Sequence, residues 1–171
     1  MSGLKRLRLK HIVEEAEGYL ELGLAEHALD ILGKGGLPGS LDPHMLHLKG
    51  EALRTLGRYE EAIETLQQAA DLKQDATAVW LAMGWCLKRT GQIHRAIECL
   101  DRALALDEFV PLVVYNLACY WTLAGNKKRA LGYLAEALEL EPKYRELIDD
   151  ESDFDSLRED SDFRALTSII V

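Results

Sequence analysis

No unbroken apolar stretch of this chain is long enough to cross a bilayer: the longest, Val113 to Gly125, is interrupted by Asn116. The N-terminus offers no export signal either. After Lys5, Arg6, Arg8 and Lys10 comes His-Ile-Val-Glu-Glu instead of an apolar run, and Glu14, Glu15 and Glu17 follow. A cytoplasmic protein with no membrane partner is the expectation. Positive charge is scarce as well, with a net charge of −9. Duplex affinity comes largely from lysines and arginines that displace counterions from phosphates, so no nucleic-acid partner is expected.

The three cysteines, Cys86, Cys99 and Cys119, form no CxxC pair, and an odd number cannot all pair within one chain. Buried reduced thiols are expected. Also missing are H-E-x-x-H, G-x-S-x-G and G-x-G-x-x-G, so no catalytic residue, cofactor or metal is expected and the chain is not read as an enzyme. His44, His47 and Glu51 share a helix face, yet nothing elsewhere completes a recognisable metal site. Gly33-Lys34-Gly35-Gly36 lacks the order of a phosphate loop and is not preceded by a strand.

What the sequence does have is periodicity. Gly23, Gly57, Gly91 and Gly125 recur at a step of 34 residues. Ala28, Ala62, Ala96 and Ala130 keep that step, as do Leu32, Leu66, Leu100 and Leu134. With 48% hydrophobic residues the chain can bury one continuous core through an unbroken array. In each unit the glycine ends one amphipathic helix and reverses the chain, and a second amphipathic helix follows. Small residues at Gly50 and Ala62, Gly84 and Ala96, and Ala118 and Ala130 allow the two helices to approach closely.

The unit from Thr77 reads Trp80-x₂-Met83-Gly84-x₂-Leu87, then Ala96-x₃-Leu100; the next reads Val114-x₂-Leu117-Ala118-x₂-Trp121, then Ala130-x₃-Leu134 and Pro142. This pattern resembles the tetratricopeptide repeat, W-x₂-L-G-x₂-Y, A-x₃-F and P. Glu15 and Lys49 depart from it where leucine is usual, as do Gln74 and Glu108 where proline is. The resemblance implies an all-α, right-handed superhelical α-solenoid of about four helical hairpins. A basic extension (1–8) precedes repeats at 9–42, 43–76, 77–110 and 111–144, and an acidic cap (145–171) follows. In the first repeat, Gly33 to Gly39 is expected to cut the second helix short as a loop.

The cap is expected to cover the apolar end of the array. Phe154 with Leu157 and Phe163 with Leu166 give it apolar pairs, and Asp153 and Asp162 are expected to cap two short helices. A second reading folds this acidic tail over the groove as a mimic of an acidic ligand.

The resemblance further implies that the first helix of each hairpin lines a concave, partner-binding groove. Its residues here are His44, His47, Glu51 and Arg54; Leu81, Trp85, Lys88 and Arg89; and Tyr115, Asn116, Cys119 and Thr122. Thr55 and Leu112 stand at the same register. An apolar floor flanked by cations suits a peptide with apolar anchors and some acidic residues. Some family members clamp a terminal carboxylate with Lys and Asn, but the corresponding positions here hold Val13 and Glu17, or His47 and Glu51. The expected role is a protein–protein interaction scaffold or adaptor. Alternatives are a dedicated client chaperone and a regulatory subunit of an enzyme complex. Open array ends also allow a homo-oligomer through Tyr120, Trp121 or a terminal hairpin.

Overall fold

The computed structural model describes residues 3–35, 42–107 and 110–168, and these contain helices and no strand. Eight helices alternate along the chain: α1 (Gly3–Glu21), α2 (Ala25–Gly35), α3 (Pro43–Thr55), α4 (Tyr59–Leu72), α5 (Thr77–Arg89), α6 (Ile93–Leu106), α7 (Pro111–Leu123) and α8 (Lys127–Leu140). Two short helices, α9 (Arg145–Ile148) and α10 (Ser161–Thr167), flank a 3₁₀ segment, Ser152–Leu157.

Gly23, Gly57, Gly91 and Gly125 all take positive φ, between 72° and 77°, which a Cβ would oppose. At Gly57 the turn is closed by Gly57 N–H to Arg54 C=O (3.1 Å) and Arg58 N–H to Leu53 C=O (2.9 Å). These bonds occupy carbonyls that the end of α3 would otherwise leave unpaired. The 34-residue glycine period is therefore a period of helix stops.

The chain divides into two compact units, residues 1–90 and 91–171. In the first, α1 pairs with α2, α3 with α4, and α5 packs against α4 and α3. Its core joins Ile12, Ala16, Leu32 and Leu48, with a second cluster of Ala25, Ala28 and Ala52. Helices α3 and α4 approach closely at Gly50, where an added Cβ would lie 2.5 Å from Cγ and Cδ2 of the fully buried Leu66. The Trp80 indole N–H donates to the Gln74 carbonyl (3.0 Å) and ties α5 to the turn before it.

The loop expected from Gly33 is helical at its first three residues. Helix α2 runs from Ala25 through Gly33, Lys34 and Gly35. The rest of that glycine-rich stretch lies outside the described residues.

In the second unit α7 packs on α6 and α8, and the 3₁₀ segment packs on α7. Phe154, Phe163 and Leu157 are buried there, with Phe154 and Phe163 ring centroids 5.5 Å apart. Asp153 and Asp162 do not cap the short helices as expected. Glu151 accepts from Asp153 N–H (3.1 Å), and Asp160 accepts from Asp162 N–H (3.0 Å) and Phe163 N–H (3.2 Å). The capping carboxylate must sit ahead of the first free N–H, so each cap lies two residues earlier. Asp162 instead meets Lys127 at 2.7 Å.

Candidate functional site

Helix α3 begins with Pro43 at its first position, where no N–H is needed, after Asp42, whose carboxylate accepts from His44 N–H (2.9 Å) and Met45 N–H (3.1 Å). That start fixes the register of His44, His47, Glu51 and Arg54 along one stripe. The Arg54 guanidinium donates twice to Glu51 Oε2, at 2.6 and 3.2 Å. It also lies 5.0 Å from the Trp85 ring of α5. On α5, Arg89 approaches both Trp85 (5.6 Å) and Tyr59 (5.5 Å), and those two rings meet edge to face at 5.5 Å.

The result is a half-buried indole with an aromatic edge on one side and two guanidinium groups near it. Cations near a ring's negative face gain electrostatic energy, and the ring limits the guanidinium's motion. Arg89 is exposed; Leu81 and Lys88 are half-buried on the same helix. Glu51 offsets part of the charge of Arg54, as its spacing of three residues permits.

His44 Nε2 turns to Glu17 of α1 at 3.2 Å, and His47 Nε2 lies 3.9 Å from Glu51. The two histidines thus face different carboxylates. Burial holds the His47 pKa below its usual value, with Glu51 partly opposing and His44 and Arg54 adding to the shift. At neutral pH the imidazole is uncharged and can both donate and accept a hydrogen bond. A cavity of about 160 Å³ opens beside it, between Pro43, His44, His47, Lys73 and Val79. Cys86, also on α5, is buried, and its thiol is pushed up to about 12 by desolvation, so it is protonated and unreactive.

A cleft of about 630 Å³ opens between α2, α3 and α4, with Leu32, Leu46 and Leu53 on its wall and the Arg58–Glu61 ion pair (2.6 Å) at its rim.

The expected groove residues of α7 stand differently. Tyr115, Cys119 and Thr122 are 4%, 1% and 5% exposed, so they do not line an open wall. Tyr144 and Phe154 cover that face, with ring centroids 4.9 and 5.9 Å from Tyr115. The Thr122 hydroxyl is turned back onto the Ala118 carbonyl (2.9 Å), and only Asn116 remains half-buried. The covering contact is largely aromatic; Asp149, Asp150 and Asp155 are exposed, whereas Asp153 is buried and Glu151 half-buried. Tyr120 is buried too, and Trp121 is half-buried with the Arg129 guanidinium 4.4 Å from its ring.

Family models of the tetratricopeptide repeat match residues 14–79 and 53–113. Among curated proteins, the "BBSome complex member BBS4" of Bos taurus is 25% identical over 129 residues. That match takes in 75% of this chain but 25% of the relative, so the chain spans about a quarter of that protein's length. Among solved structures, one of MamA superposes with a TM-score of 0.74 at 20% identity, covering 81% of each chain. The structure of YrrB, described as a TPR protein with an unusual peptide-binding site, gives 0.68 at 22% identity over 74% of this chain and 66% of that one. No helix among the described residues is long and apolar enough to cross a membrane.

Proposed function

Because the chain belongs to the tetratricopeptide repeat family, we propose that it is a protein–protein interaction scaffold whose recognition face is the α3–α5 surface around Trp85. The carrying observation is the grouping of Trp85, Tyr59, Arg54 and Arg89 within 5.0–5.6 Å. Tryptophan, tyrosine and arginine are the residues that most often dominate binding energy, because they desolvate large areas or form charge-assisted bonds. Around them stand His44, His47, Glu51, Leu81 and Lys88. The ligand is an extended or helical peptide with an apolar anchor for Trp85 and an acidic residue for Arg89. YrrB, with its own peptide-binding site, lends this reading a precedent within the fold. The reading gives the chain no turnover of its own.

Selection of a random-peptide display library on the purified chain supplies a defined ligand. Titration of the recovered peptides onto Trp85→Ala should weaken binding by about 30-fold or more, the loss expected of a central anchor. Arg89→Glu should cost about tenfold, and more for peptides with more acidic residues. Unchanged affinity in both variants, each with wild-type circular dichroism, would dismiss the proposal.

A further inference from the structure

The sulfur of Cys119 and one carboxylate oxygen each from Glu151 and Asp153 lie within 4.8 Å of one another. Cys119 and Asp153 are buried and Glu151 is half-buried. One turn before Cys119 on the same face of α7, Tyr115 carries a hydroxyl that is buried and has no hydrogen-bond partner. Burial, and after it the nearby Cys119, Glu151, Asp153 and Tyr144, push ionisation of that phenol upward. Two carboxylates and a thiol brought together from separate parts of the chain, with an orphaned hydroxyl beside them, are explained by apolar packing only in part. Such packing accounts for Phe154 but not for the polar groups next to it.

We propose that Cys119, Glu151 and Asp153 form a binding site for a divalent transition-metal ion of the zinc class. The donor set favours this class: a thiolate discriminates against magnesium and calcium, whereas zinc accepts thiolate and carboxylate together. Zinc–sulfur and zinc–oxygen bonds of about 2.3 and 2.0–2.2 Å place tetrahedral ligands about 3.5 Å apart. The three groups, at most 4.8 Å apart, thus need to draw together by up to about 1.3 Å. One Glu151 oxygen already accepts the Asp153 N–H at 3.1 Å, which fixes the carboxylate and leaves its second oxygen for the ion. Cys119 binds as thiolate, so its proton passes to solvent on loading. Tyr115 then donates to a ligated carboxylate oxygen, the outer-shell bond that orients such ligands. Two ligands precede Phe154 and one lies on α7, so the ion fastens the 3₁₀ segment to that helix.

The test is titration of the full chain, stripped with a chelator, with Co²⁺ followed by Zn²⁺. One equivalent of cobalt should bind with a thiolate-to-metal charge-transfer band, zinc should displace it, and the melting temperature should rise with zinc concentration. Cys119→Ser should abolish the band, and Cys99→Ala should keep it. The Glu151→Gln/Asp153→Asn double variant retains the thiol and the aromatic packing, and should bind at least 100-fold more weakly. It keeps the test decisive if Cys119→Ser does not fold. Absence of stoichiometric uptake by wild type would mean that thiol and carboxylates only bond to each other and overturn the proposal. An unaltered band in the double variant would overturn it as well.

Discussion

Phe154→Ala should destabilise the C-terminal unit by about 3–5 kcal/mol, the loss typical of a phenylalanine truncated in a packed core. Phe154 is 0% exposed and stands between Tyr115 and Phe163, with centroids 5.9 and 5.5 Å away. Ile148, Leu157 and Phe163 are buried beside it and Tyr144 meets Tyr115, while the polar ties of the tail are Lys127 to Asp160 (2.6 Å) and Asp162 (2.7 Å), and Arg145 to the Leu166 carbonyl (3.1 Å). Lys127 and Asp162 are exposed enough for water to screen their attraction, so such pairs contribute little. Apolar burial, with Phe154 between two aromatic rings at its centre, therefore contributes more to retention of the segment than the ion pairs do. Two readouts check this. The urea midpoint should fall, and Cys119 should react with a thiol reagent under native conditions, as mapped by mass spectrometry. Cys86, buried and protonated on α5, should stay protected in the same sample. An unchanged midpoint with Cys119 still protected would show that something other than Phe154 holds the segment.

Gly50→Val should have the second large effect, about 3 kcal/mol on the N-terminal unit, at the upper end of overpacking costs. Replacing a helical glycine ordinarily gains up to about 1 kcal/mol in helix propensity. Here the new Cβ would lie 2.5 Å from Cγ of Leu66, well inside van der Waals contact and near the base of that side chain. Leu66 is 0% exposed and cannot swing into solvent, so α3 and α4 must move apart. For a chain of this size, 3 kcal/mol corresponds to about 6–12 °C in melting temperature. Gly50→Ala should cost less. Adding Leu66→Ala to it should recover part of the loss, with a coupling of about 1 kcal/mol or more in a double-mutant cycle. Strict additivity, or a stabilising Gly50→Ala, would remove the close approach from the account.

The hairpins were legible because they depend on local chemistry. A glycine at positive φ, a proline at a helix start and alanine or leucine columns leave marks at fixed spacing, and Gly57, Pro43 and Leu66 stand where those marks put them. The caps of the short C-terminal helices were missed by two residues because Glu151, Asp153, Asp160 and Asp162 are all acidic. Only the position of the free N–H groups decides among them. On α5, the family register brought Trp85 and Arg89 together, but the Tyr59 contribution from α4 needed the packed structure.

The α7 face was misread for a more general reason. A register derived from a repeat describes a hairpin with open space beyond its first helix, whereas Phe154 and Tyr144 fill that space here. Nothing local to Tyr115, Cys119 or Thr122 encodes it. The same long-range packing hid the Cys119–Glu151–Asp153 grouping, since no spacing rule links a cysteine on one helix to carboxylates that follow the next. The cleft between α2, α3 and α4 was equally invisible, because it is lined by residues that only the packing of three helices brings together.

Hydrogen exchange of the full chain, with and without a display-selected peptide, tests most directly where recognition lies. The peptide should slow exchange in α3 and α5, while α7 and the 3₁₀ segment are already slow without it and do not change. Peptide-induced protection of α7 with faster exchange at Ser152–Leu157 would mean that the ligand displaces the C-terminal segment, and would contradict the assignment of recognition to Trp85 and its arginines.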